Sequence, residues 1–147
     1  MKPVNVITEA IIGDAIAVHR DMGPGLLEST YEACLAALLA RRGLRTERQA
    51  AMPVLFRGER LDCAYRLDLL VEGIVVVELK TVAKLEPVHF AQMMTYLKLS
   101  QCEVGLLINF NVVRLVDGVR RVVRGYKEHS LPSDPTASSA IDAVEGG

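Results

Sequence analysis

The stretch Tyr65–Lys80, YRLDLLVEGIVVVELK, limits what this 147-residue chain can fold into more than any other. It reads as two strands around a turn at Glu72-Gly73, with Asp68, Glu78 and Lys80 set into an aliphatic pattern. Side chains along a strand alternate between faces. Leu67, Leu69 and Val71 therefore form one row, and Arg66, Asp68 and Leu70 the other. After the turn the rows are Val75, Val77, Leu79 and Val76, Glu78, Lys80. Pairing Val71 with Val75 sets Asp68 opposite Glu78 and Arg66 opposite Lys80, and leaves the second face aliphatic. A two-residue turn would pair Val71 with Ile74 and throw the two acids onto opposite faces. The spacing therefore predicts a loop with an extra or bulged residue at Glu72 to Ile74.

Two carboxylates facing each other across strands repel unless a cation or a proton sits between them. Oxygen ligands of this kind suit Mg²⁺ or Mn²⁺. Lys80, on the same face as Glu78, can then reach a phosphate or an attacking water. The alternative is a cross-strand salt-bridge cluster of Arg66, Asp68, Glu78 and Lys80 on the solvent side of a sheet.

Half of the residues are hydrophobic, enough for one domain with a proper core and for some apolar surface between subunits, as in a homodimer. No apolar run reaches the roughly 18 residues of a membrane span, and the N-terminus lacks a signal-peptide pattern. The expectation is a cytoplasmic protein without membrane contact. Cys34, Cys63 and Cys102 are scattered and odd in number, so they read as small core residues rather than a disulfide framework or zinc site. The formal net charge of -1 gives no global attraction to nucleic acid, so any electrostatic footprint is local.

Along the chain, Ile7, Ala10, Ile11, Ala15 and Val18 predict a helix from about Val4 to His19, ended by Met22-Gly23-Pro24-Gly25. His19 reads as a capping or core residue. A second helix, about Leu26 to Arg42, carries a stripe of Leu27, Tyr31, Cys34, Leu35 and Leu38. Glu28 lies on the margin of that stripe, where it either favours the helix dipole or points toward the hairpin carboxylates. Arg41, Arg42, Arg45 and Arg48 form a basic cluster. Glu47 to Phe56 is extended, with Pro53 marking an edge or bulge. Arg57-Gly58-Glu59-Arg60 is a turn, and three strands in a row make an antiparallel meander. Pro87 opens a third helix, to about Leu99, with Phe90, Met93, Met94 and Leu97 buried and His89, Gln92 and Tyr96 as a polar stripe. Glu103 to Ile108 is a buried strand. Val112 to Val116 with Val119 to Val123 reads as a terminal hairpin around Asp117-Gly118. Arg114, Arg120, Arg121, Arg124 and Lys127 make a second basic concentration. Residues 1–129 form one domain, and 130–147 a disordered tail.

The order of elements, with Asp68 on the second strand and Glu78-x-Lys80 on the third, resembles the PD-(D/E)xK nuclease superfamily. Gly25-Leu-Leu-Glu28-Ser-Thr-Tyr31 with YRLDLLV, VVELK, QMMTY and GLLINF is similar to the GxxExxY protein family within it. The implied fold is α/β (α+β): a restriction-endonuclease-like core, helix-strand-strand-strand-helix-strand, with an extra N-terminal helix and a C-terminal hairpin. The resemblance implies that Asp68 and Glu78 ligate the metal with help from Glu28 and from the backbone carbonyl of Leu79. It implies that Lys80 orients water and stabilises the transition state, and that Gln92 and Tyr96 support the site or contact substrate. Leu67 stands where the proline of the PD name would be. The expected activity is Mg²⁺- or Mn²⁺-dependent hydrolysis of DNA or RNA phosphodiesters. The alternative is a non-hydrolytic nucleic-acid-binding or accessory protein on the same fold.

Overall fold

The structure, a computed structural model, describes residues 3–125. Lys127 and the expected tail, 130–147, lie outside them. In chain order the elements are α1 (Val4–Met22), α2 (Glu28–Arg41), β1 (Thr46–Phe56), β2 (Glu59–Val71), β3 (Val75–Lys80), α3 (Pro87–Ser100), β4 (Val104–Asn109), a 3₁₀ turn (Leu115–Gly118) and β5 (Val119–Val123). No helix among these residues is long and apolar enough to cross a membrane.

The five strands form one sheet in the order β1-β2-β3-β4-β5. β1, β2 and β3 are the predicted antiparallel meander. β4 returns parallel to β3 through α3, a crossover that antiparallel hairpins do not need. β3 and β4 are buried along nearly their whole length, which is why both read as continuous aliphatic runs. Helices α1 and α2 cover one face, where Ile7, Ile11, Tyr31, Leu35 and Leu39 pack on Leu69, Val77, Leu106 and Ile108. Helix α3 covers the other, with Met93 and Leu97 on Leu67, Val76 and Leu107. A side chain at Gly105 would come within 2.5 Å of Met93 Sδ, so this glycine sets how closely α3 approaches β4.

Several expected details shift. Leu27 is 73 % exposed at the start of α2, and the buried stripe runs instead through Tyr31, Leu35 and Leu39. Met94 is also exposed, because only Met93 and Leu97 face the sheet. The expected terminal hairpin is not formed. Residues 112–114 make no strand, and β5 pairs with β4. Leu115 is buried beneath the core and Gly118 lies so close to the Asn109 carbonyl that no side chain fits. The segment is thus a tight connection that closes a β4–β5 hairpin. His19 is buried and donates to the Val112 carbonyl at 2.8 Å, the core role expected of it.

Candidate active site

The register at the β2–β3 turn is the one the acids require. Val71 pairs with Val75, Leu70 with Val76 and Leu69 with Val77. Glu72 and Gly73 both take positive φ, and the Ile74 amide closes back on the Val71 carbonyl at 2.9 Å. This three-residue loop preserves the parity of the two strands. The backbone ladder then stops after Leu69 and Val77. At the next position the side chains take over: the Asp68 amide donates to Glu78 Oε2 at 2.8 Å, and the Leu79 amide donates to Asp68 Oδ2 at 2.9 Å.

β2 changes character at the same point. Leu69 and Val71 belong to the core under α1 and α2, whereas Leu67 belongs to the core under α3. The single aliphatic row expected through Leu67, Leu69 and Val71 is therefore broken at Asp68. Across the strand pair, Gln49 holds φ of 51°, the left-handed region, and is skipped in the register between Arg48–Leu69 and Ala50–Leu67. From there β1 and β2 continue as a two-stranded arm to the Arg57-Gly58 turn, with an irregularity between Pro53 and Leu55 as the proline predicts.

Glu78 is 4 % exposed and Asp68 is half-buried. Burial, and then the neighbouring Asp68 charge, pushes the Glu78 carboxyl up to about 8. Asp68 is also raised, chiefly by burial and further by Glu32, against the lowering effect of the Leu79 amide. The alternative, a salt-bridge cluster of Arg66, Asp68, Glu78 and Lys80, does not form. Among the described residues neither Arg66 nor Lys80 makes an ion pair with Asp68 or Glu78. Arg66 turns to the Gln49 carbonyl at 3.2 Å, and Lys80 Nζ donates to Gln92 Oε1 at 3.2 Å. No donor among those residues reaches Glu78 Oε1.

Helix α3 brings Gln92 and Tyr96 to this edge, one turn apart as their spacing predicts. Tyr96 is half-buried against Tyr65, with ring centroids 5.7 Å apart, and its phenol is raised by burial and then by Glu78 and Asp68. His89 serves α3 itself, accepting the Glu86 amide at 2.8 Å in a capping box. Helix α2 brings Glu28 to the rim. Its carboxylate accepts the Thr81 amide at 3.1 Å and the Thr81 hydroxyl at 3.4 Å, one residue past Lys80. Tyr31 fixes the loop leading into Glu28: its hydroxyl donates to the Gly23 carbonyl and accepts the Leu26 amide, and its ring stacks on Phe110 at 4.3 Å. Glu28 therefore faces the chain leaving β3 rather than the two acids, and no three Asp, Glu, His or Cys side chains among the described residues are gathered closely enough to enclose an ion.

Two polar residues escaped the sequence reading. Glu32 is 5 % exposed and accepts Arg48 Nε at 2.9 Å and Gln49 Nε2 at 2.7 Å. Its signal was available, since it lies one helical turn after Glu28 and beside Tyr31 in a stripe otherwise apolar. Asn109, 2 % exposed at the end of β4, accepts the Val82 amide and donates to the Val82 carbonyl, pinning the chain just beyond Lys80.

The fold is similar to that in the crystal structure of SSO0001, with a TM-score of 0.52 at 19% identity over 69% of this chain. The chain covers 52% of the length of SSO0001. No curated protein matches the sequence. Residues 5–122, which include Glu28, Asp68, Glu78, Lys80, Gln92 and Tyr96, match the family description "PD-(D/E)XK nuclease superfamily", and the chain belongs to that superfamily.

Proposed function

We propose that this protein is a metal-dependent nuclease that hydrolyses phosphodiester bonds in DNA or RNA with Mg²⁺ or Mn²⁺. The observation that carries the reading is the Asp68–Glu78 pair: two carboxylates on parting strands, both pushed toward their protonated forms, with no cation among the described residues paired to them. Mg²⁺ keeps several waters and needs only one or two carboxylates beside the substrate phosphates. A pair of acids with one uncommitted oxygen on Glu78 fits that demand. Asp68 and Glu78 would hold the ion, with the Leu79 carbonyl as a further ligand and Glu28 assisting from the rim. A divalent ion in such a site supplies charge neutralisation at the scissile phosphate and lowers the pKa of a bound water.

The remaining work falls to the side chains around it. Lys80 carries an ammonium close to both acids, lowering each carboxyl somewhat, and it orients water and stabilises charge on the phosphate. Gln92 holds that ammonium through its carbonyl oxygen, and Tyr96 offers a hydroxyl beside the acids. The way Tyr31 and the Gly25 turn deliver Glu28 to Thr81 supports the narrower GxxExxY assignment.

Titration with Mg²⁺ or Mn²⁺ against single-stranded DNA, duplex DNA and RNA is expected to yield cleavage of at least one substrate. Asp68→Ala is expected to lose that cleavage by more than about 100-fold, since a ligand counts for more than the 10–100-fold of a residue behind it. Undiminished cleavage by Asp68→Ala removes Asp68 from the site. Nucleic acid bound but never cut, at any metal concentration, favours the non-hydrolytic accessory protein instead.

A further inference from the structure

Gln49 has an unusual backbone and an unusual pair of partners. Its φ of 51° lies where residues other than Gly, Asn and Asp are seldom found. The conformation takes it out of the β1–β2 register opposite Asp68, and its side chain, though exposed, reaches both Glu32 and Asp68. There one amide nitrogen meets two carboxylates: Nε2 is 2.7 Å from Glu32 Oε1 and 3.3 Å from Asp68 Oδ1. Both neighbours are acceptors, so the nitrogen and not the oxygen must face them, and its two hydrogens match the two acids. Glu32 is itself shut away from water and fixed by Arg48 at 2.9 Å. The Gln49 carbonyl is held in turn by Arg66 at 3.2 Å.

We propose that Gln49 is a positioning residue for the active site, bridging the buried Glu32 of α2 to Asp68 of β2 and locking the Asp68 carboxylate in its working orientation. The inference rests on the nuclease reading for its consequence but on the bridge alone for its existence. With Oδ2 fastened to the Leu79 amide and Oδ1 steadied by Gln49, the Asp68 carboxylate is held at both oxygens, which restrains its rotation. A residue behind a metal ligand acts in this way, fixing its direction and basicity. The left-handed backbone is the local cost of aiming a glutamine side chain from an edge strand at both acids.

The deciding variant is Gln49→Asn. Asparagine tolerates positive φ better than glutamine does, so the backbone is retained, yet its side chain is one methylene too short to span both acids. Gln49→Gly gives a second variant with the backbone relaxed and no amide. Both are expected to melt within a few degrees of wild type. Mn²⁺ affinity, measured on the protein alone, is expected to drop roughly 10- to 100-fold, and kcat to fall with KM little changed. In the metal-free wild type, the two side-chain amide protons of Gln49 are expected to exchange slowly, one shifted by Glu32→Gln and the other by Asp68→Ala. Unchanged Mn²⁺ affinity in both Gln49 variants, or amide protons indifferent to either acid, overturns the proposal. Slow, separately shifted amide protons in a wild type that binds no Mn²⁺ would keep the lock and discard the nuclease reading.

Discussion

Asp14 and Glu78 are both acids almost shut away from water, at 7 % and 4 % exposure, and the chain treats them oppositely. Asp14, on α1, receives Arg42 from the end of α2 in a two-pronged grip, with Nη2 at 2.5 Å and Nε at 3.1 Å. The pair raises the guanidinium still further, through the hydrogen bond and then the charge of Asp14. Glu78 receives a backbone amide and a second acid. Burial and Asp68 hold its carboxyl up near 8. Where an acid is supplied with its own cation from within the chain, it joins two helices. Where two acids are brought together without one, the pair holds on to a proton, and in the function proposed above a metal ion takes that proton's place. Two members of the Arg41–Arg48 cluster, Arg42 and Arg48, are engaged in this way, by Asp14 and Glu32.

The largest expected effect breaks the comparison at its acid end. Above about pH 4.5 the unfolded chain has given up the Glu78 proton, while the folded, metal-free protein keeps it to about pH 8. Stability is therefore fullest below about 4.5 and is lost as pH rises through about 8, by at most about 5 kcal/mol. Thermal melts of metal-free protein across that range should show the decline. Glu78→Gln should flatten it, and Mg²⁺ should restore stability to the wild type at the alkaline end.

Lys80→Met probes a cation that lies close to both acids and, among the described residues, is not spent on an ion pair. Turnover is expected to fall roughly 10²- to 10³-fold, the scale of losing a charged donor at a transition state. Mn²⁺ affinity, read by calorimetry, should fall far less. An equal loss in both would make Lys80 a partner of the acids rather than of the reacting phosphate.

The smallest effect lies at the other site. Arg42→Met leaves Asp14 buried without its partner, so the melting temperature should drop while metal-dependent cleavage stays at the wild-type level. Loss of cleavage in a protein that still melts cooperatively would show that the α1–α2 joint reaches the active site, and the division between the two acids would fail.

Much of this was legible in the chain because parity is a strong constraint. Asp68 and Glu78 can share a face only if the turn holds an odd number of residues, and the loop at Glu72 to Ile74 obeys. The helix opened by Pro87 and the aliphatic strand after it were equally legible, whereas the parallel return of that strand beside β3 is seen only in the structure. What stayed hidden depends on contacts between distant segments. Nothing local marks Gln49 for positive φ; the requirement comes from Glu32 and Asp68, 17 and 19 residues away. Glu32 sat inside a stripe whose apolar members drew attention to Tyr31 and Leu35. The residues from Val112 to Val116 alternate as a strand would, but β4 offers one free edge, and β5 takes it. Met93 and Met94 look alike in sequence, and only the approach of Gly105 decides which one is buried.

The exchanged grip between Asp68 and Glu78 carries one more consequence. Each carboxylate is tied to the main chain of the opposite strand, so a force that draws either of them outward also pulls on the backbone facing it. The two strands thus behave like a clasp whose teeth are these two acids, and whatever displaces either tooth also alters the spacing at which the arm leaves the sheet.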